Sequence, residues 1–92
     1  MILIKIHSSE HTEILTLCDS DLIGKKLFNI TISKAFYEGA KYEEKYLKVL
    51  KEAQNINALG KESIELLLKH KIITEEDIKY YDKIPHVQLF LI

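Results

Sequence analysis

No arginine occurs among the 13 basic residues of this chain of 92; every one is a lysine. Bidentate readout of guanine edges and planar phosphate clamps need the guanidinium fork, so sequence-specific DNA recognition is not expected. The formal net charge of −1 argues further against a strongly basic nucleic-acid binder. Lysine still neutralises phosphate as a point charge, which leaves a peripheral contact with RNA open. There is one cysteine, Cys18, and hence no internal disulfide; a reducing, cytoplasmic setting is the expectation. Long apolar runs are missing as well. Met1-Ile2-Leu3-Ile4 is broken by Lys5 and His7, too early for a signal segment or a membrane span. No repeat, linker or low-complexity tract divides the sequence, so residues 1–92 read as one domain.

What is present is patterned. Ile2, Ile4 and Ile6 alternate with Leu3, Lys5 and His7, Ser8 to His11 is polar, and strand character resumes from Glu13 to Leu17; residues 1–18 thus predict a hairpin. Asp19-Ser20-Asp21 offers caps for a short helical turn over Leu22, Ile23 and Leu27, interrupted by Gly24. The β-branched run Asn29-Ile30-Thr31-Ile32-Ser33 predicts a third strand, closed by Phe36-Tyr37-Glu38-Gly39. From Lys41 the period changes: Tyr42, Tyr46, Leu50 and Ala53 recur at helical spacing, widened by Leu47. Asn57 is a candidate N-cap for a second helix through Ile64, Leu67 and Leu68 to about His70. Gly60, inside its first turn, costs roughly 1 kcal/mol against alanine and asks for a close approach. Thr74-Glu75-Glu76-Asp77 resembles a capping box with aspartate in place of glutamate. Ile78 to Tyr81 and Val87 to Ile92 predict closing strands. The expected class is α+β: a mostly antiparallel sheet of N-terminal hairpin, middle strand and two C-terminal strands, with two main helices on one face.

Four short motifs then occur in order: Cys18-Asp19-x-x-Leu22-Ile23-Gly24-Lys25, Phe36-Tyr37-x-Gly39, Asn57-x-x-Gly60 and Ile84-Pro85-His86-x-Gln88. Together they resemble the archaeal family known as domain of unknown function 424, over about Ile2 to Leu89, with Val87 where a smaller residue is usual. The resemblance implies a small cytoplasmic archaeal α+β protein and an association with the translation apparatus. It implies no activity, cofactor or catalytic residue.

His86 and Gln88, two apart on the last strand, share one face. An imidazole titrates near neutral pH and an amide orients a ligand, yet a hydrogen-bonded structural pair explains them equally well. On the functional reading Asn57 joins them at a helix N-terminus, where free N–H groups attract anions. Gly24-Lys25-Lys26 has the tail of a phosphate loop without its first glycine or its hydroxyl residue; Lys25 and Lys26 read as a solvated pair that meets phosphate electrostatically. Cys18 beside Asp19 raises a nucleophile with His86 as its base, although a lone cysteine at a strand end is more often packing. His7 and His11 lack the companions of a metal set. Tyr37, Tyr80 and Tyr81 are candidates for stacking on a base.

Three functions follow. The first is a non-enzymatic binding protein at the periphery of the small ribosomal subunit, touching ribosomal RNA or ribosomal proteins. The second is a small enzyme or ligand-binding domain built on His86, Gln88, Asn57 and Lys25, which must then converge on one pocket. The third is a homodimer joined through the apolar C-terminal strand. The balance leans against an enzyme, and no metal, cofactor or membrane is expected.

Overall fold

The computed structural model describes residues 1–27 and 30–90. Alternation drives the first hairpin: β1 (Ile2–Ser8) and β2 (Glu13–Asp19) pair antiparallel from Ile2 opposite Asp19 to Ser8 opposite Glu13. The connecting turn is closed by the Ser9 N–H donating to the Thr12 carbonyl at 2.8 Å.

The chain then leaves the sheet. A 3-10 turn (Ser20–Leu22) leads to a short ribbon of β3 (Lys26–Leu27) and β4 (Ile30–Thr31), then to the single-turn helix α1 (Lys34–Tyr37). The Ser33 hydroxyl caps α1 by accepting from the Phe36 N–H at 3.1 Å. Strand β5 (Ala40–Lys41) rejoins the sheet beside β1. Gly39 is required just before it, because a Cβ there would run into the Ile4 carbonyl. The third strand expected over residues 29–33 is therefore reduced to Ile30–Thr31 and lies outside the main sheet; Asn29 falls outside the described residues.

A 3-10 turn (Glu44–Tyr46) runs into α2 (Leu47–Glu52), followed by β6 (Asn55–Leu59), α3 (Lys61–Lys69), a 3-10 turn (Glu75–Asp77), β7 (Lys79–Tyr81) and β8 (Ile84–Phe90). Tyr42 precedes α2 rather than starting it: its N–H donates to the Ile2 carbonyl at 2.8 Å, an extension of the β5 pairing. It still packs on the same core as Tyr46, Leu47 and Ala53, so the stripe is real while the helix is shorter. Before the third 3-10 turn, the Thr74 N–H donates to the Asp77 carboxylate at 2.8 Å, the expected capping box with aspartate. Asp82 and Lys83, with φ of 50° and 68°, form the two-residue turn that matches the twist of the β7–β8 hairpin.

The main sheet has the order β5-β1-β2-β6-β8-β7. Only the central pair, β2 with β6, is parallel; the other pairs are antiparallel. On one face Leu15, Leu17, Ile56, Ala58 and Val87 bury against Leu50 of α2, Ile64 and Leu67 of α3, and Ile73. The opposite face packs Cys18 and Leu59 against Leu22, Leu27 and Ile32 of the strap formed by residues 20–39. Helices thus lie on one face, as the sequence predicts, and the strap covers part of the other.

Asn57 lies in the middle of β6, not at a helix start. The sequence Asn55-Ile56-Asn57-Ala58-Leu59 puts Ile56 and Ala58 into the helix-side core, and that burial outweighs the local capping preference of asparagine. The helix begins after Gly60 and is capped from a distance. Asp19, at the end of β2, accepts from the Glu62 N–H at 3.0 Å, and from the Ser63 N–H and hydroxyl at 2.8 Å each. Gly60 holds φ at +110°, and a Cβ on it would strike that carboxylate. Two of the quoted motifs, Cys18-Asp19 and Asn57-x-x-Gly60, thereby meet in one capping device.

Candidate functional site

The closing strand builds one wall of the site. Pro85 is buried, and its carbonyl accepts from the Gly60 N–H at 3.0 Å. The register then sets Leu59 opposite His86 and Asn57 opposite Gln88. Continued through β2 and β1, the second of these rows reads Lys5, Thr16, Asn57, Gln88, a polar line across four strands on the strap side.

Most of that line holds the strap. Lys5 Nζ donates to the Ala35 carbonyl at 2.6 Å, and the Thr16 hydroxyl to the Phe36 carbonyl at 3.3 Å. His7 Nε2 donates to the same Phe36 oxygen at 2.7 Å, its ring stacked on the Phe36 ring at 4.6 Å. The last carbonyls of a one-turn helix have no partners within it; here three side chains of the sheet supply them.

Asn57 does something different. Its Oδ1 accepts from the Tyr37 hydroxyl at 2.7 Å and from His86 Nε2 at 3.1 Å. An amide oxygen only accepts, so His86 carries its proton on Nε2, and in the neutral ring Nδ1 is a bare acceptor. Burial, reinforced by the Lys79 ammonium, pushes the His86 pKa below its ordinary 6.5 and favours that neutral ring. Burial likewise raises the Tyr37 phenol to about 12, with a smaller contribution from Cys18, so Tyr37 is a fixed hydroxyl donor. The Tyr81 ring lies 5.7 Å from the His86 ring at an angle of 58°.

Tyr37 and His86 stand at the edge of a cavity of about 380 Å³ between strap and sheet, walled mainly by the apolar and aromatic Leu27, Ile32, Phe36, Leu59 and Tyr81, with Thr31 and Ser33 beside them. A smaller cavity of about 150 Å³ shares His86 and Tyr81 and adds Gln88, Lys79 and Asp77. Of the residues singled out in the sequence, His86 and Asn57 are bonded to each other, and Gln88 adjoins them in the smaller cavity. Lys25 and Lys26 are exposed on the strap and line neither cavity. Tyr37 and Tyr81 do line the larger one. Tyr80 is 64% exposed and faces the groove beside α3 instead. Phe36 was not foreseen as a wall residue; its motif with Tyr37 and Gly39 was the only hint.

One expectation needs correcting. The anion-attracting helix N-terminus is not at Asn57, and the free N–H groups of α3 are occupied by the Asp19 carboxylate. Cys18 is fully buried, and Leu59 separates it from His86 in the cross-strand row. Burial first, then Asp19 and Asp21, raise its thiol to about 12, so no thiolate forms near neutral pH. A Cys18–His86 nucleophile pair is thereby dismissed. His7 is engaged with Phe36, and among the described residues no group of three His, Cys, Asp or Glu side chains is placed to hold a metal ion. No helix among the described residues is long and apolar enough to cross a membrane.

Comparison with known proteins agrees with this picture of a recurrent fold. The sequence model of a family described as "Protein of unknown function (DUF424)" matches residues 6–92. A solved structure, the crystal structure of an uncharacterized conserved protein from Methanopyrus kandleri, superposes with a TM-score of 0.85 at 30% sequence identity. The match covers 99% of this chain and 91% of that one. None of the curated proteins matches the chain.

Proposed function

The chain belongs to the DUF424 family, and from its own geometry we propose that it is a non-enzymatic binding protein whose strap-side cavity receives an unstacked base of single-stranded RNA. One observation carries this reading: Tyr37 and His86 converge on Asn57 at the rim of a largely apolar, aromatic-lined cavity. Ligand cavities run from roughly 300 to 1,000 Å³, so a volume of about 380 Å³ suits one heterocycle rather than a dinucleotide. Phe36, Tyr37 and Tyr81 supply faces for stacking, and the His86–Gln88 edge supplies polar groups for the rim of a base.

The same arrangement speaks against catalysis. The single thiol is buried and protonated, so it supplies no nucleophile beside the imidazole. Exposed lysines such as Lys25 and Lys26 accompany an RNA backbone as point charges. With a net charge of −1, the setting we propose is cytoplasmic and peripheral, on the small ribosomal subunit.

Titration of the labelled protein with single nucleosides and a short single-stranded RNA, followed by NMR, tests the site. Shifts should concentrate at Tyr37, Asn57, Tyr81 and His86. The His86→Ala, Gln88→Ala double variant should stay folded and bind at least about tenfold more weakly, the equivalent of one lost pairing of charged or polar groups. Normal binding by that variant rejects the pocket. Co-sedimentation with ribosomal subunits across a salt series tests the setting, and no association even at low salt rejects it.

A further inference from the structure

The register of the last hairpin sorts its side chains by face. Lys79 stands opposite His86 and Tyr81 opposite Ile84, and Gln88 follows His86 at the two-residue spacing of one face. Lys79, Tyr81, His86 and Gln88 therefore share the strap side of the sheet, and with Asp77 they wall the cavity of about 150 Å³. Ligand cavities run from roughly 300 Å³ upward. A space half that size serves as an annex to a neighbour. The neighbour is the aromatic cavity, since His86 and Tyr81 line both.

Opposite charges line this annex without neutralising each other. One oxygen of Asp77 is committed: Oδ2 accepts from the Thr74 N–H at 2.8 Å and from the Thr74 hydroxyl at 3.3 Å. Its Oδ1 has no hydrogen-bond partner among the described residues, and Asp77 forms no ion pair with Lys79. After burial, the Lys79 ammonium is the second influence that lowers the His86 pKa, so its charge acts at the shared wall. A carboxylate only accepts and an ammonium only donates. A hydroxyl does both and satisfies the two together. A phosphate would meet Asp77 as a like charge, and an amine would meet Lys79 in the same way.

We propose that this annex holds the ribose of the nucleotide whose base enters the aromatic cavity, its 2′-hydroxyl donating to Asp77 and accepting from Lys79, so that the protein selects RNA over DNA. The inference rests on the base-binding reading and adds to it the class of sugar. Within a strand the 3′-oxygen is esterified, which leaves the 2′-hydroxyl as the free donor of the sugar; deoxyribose has none there. Selection of this kind needs no guanidinium, in keeping with a chain whose basic residues are all lysines.

The test is an NMR titration of the full chain with a short single-stranded oligouridylate in its ribose, 2′-deoxy and 2′-O-methyl forms. The ribose strand should bind about tenfold more tightly than the deoxy strand, the difference of one hydrogen bond to a charged group. The 2′-O-methyl strand, which cannot donate, should bind like the deoxy strand. Shifts at the backbone amides of Asp77 and Lys79 should appear with the ribose strand alone. Asp77→Asn keeps an oxygen for Thr74 and presents an amino donor in place of the second oxygen, so it should bring the ratio of the two affinities close to one. The comparison of sugars on the natural sequence decides the proposal even if that variant fails to fold. Equal binding of ribose and deoxy strands, with shifts at Tyr37 and Tyr81, overturns the annex and leaves the base cavity standing. A tenfold ratio that persists in folded Asp77→Asn overturns it as well. Absence of binding by every strand removes the base cavity and the annex with it.

Discussion

The two faces of the central sheet are covered by different means. On the helix face, Leu17, Ile56, Ala58 and Val87 interlock with Leu50, Ile64 and Leu67, and shape alone decides the fit. On the strap face, Lys5, His7, Thr16 and Asn57 reach up to backbone carbonyls and a phenol, and the covering segment is a single turn of helix with a two-stranded ribbon. A closely packed apolar interface leaves little room between its side chains. A polar one held at points leaves a cavity between those points, and the aromatic pocket is there. On the proposed reading, stability is concentrated on the first face and recognition on the second.

The sharpest way to break this division is to cut into the helix face. Leu17→Ala, at a side chain with 0% exposure, should cost about 2–5 kcal/mol in denaturant melts; a loss under 1 kcal/mol would mean that the helix face is not the main source of stability. Next in size is the remote cap. Asp19→Ala removes three hydrogen bonds from the start of α3 and should cost about 1–3 kcal/mol, with hydrogen exchange rising first in α3.

On the strap face the effects should be smaller in stability and larger in binding. Tyr37→Phe deletes one hydrogen bond, at about 0.5–1.5 kcal/mol, while weakening capture of a base; a variant that binds normally would show that the phenol is only a strut. His86 adds a pH signature. Its imidazole is held neutral in the fold and charges freely when unfolded, so the unfolded chain binds the extra proton. Stability from this group is present above 6.5 and is lost as the pH falls through the lower folded value. The melting temperature should therefore drop on acidification from pH 7 to 5, and drop less in His86→Gln. The smallest effect belongs to Lys25→Ala with Lys26→Ala, which should change stability by under about 0.5 kcal/mol and show itself only as a shallower salt dependence of RNA binding.

The fold was legible where periodicity is strong and local. The hairpin of β1 and β2, the buried Ile64–Leu67 face of α3 and the β7–β8 pair follow directly from residue spacing. Strand β6 was hidden, because five residues with asparagine at two positions look like a cap and a loop unless the burial of Ile56 and Ala58 between two strands is known. The strap was hidden for a related reason: its bonds go to partners 20 to 30 residues away, beyond any local pattern. The His86–Gln88 face was readable from its two-residue spacing, and so was a link to Asn57. The reason for that link was not, since the bond comes from strand register and not from a helix end. That Lys25 and Lys26 lie on the strap outside both cavities could not be read from their charge.

The parallel pair at the middle of the sheet also governs the order of assembly. Hairpins β1–β2 and β7–β8 need only short turns and can form within microseconds. Joining them requires β6 to lie down between β2 and β8, which brings Leu15 to Ile56 across about forty residues of chain. That closure carries an entropy cost before any contact rewards it. The Asp19 cap on α3, reaching over 43 and 44 residues, is made at the same moment and at the same seam. Residues of this seam are therefore expected to set how fast the protein folds, as well as how firmly it stays folded.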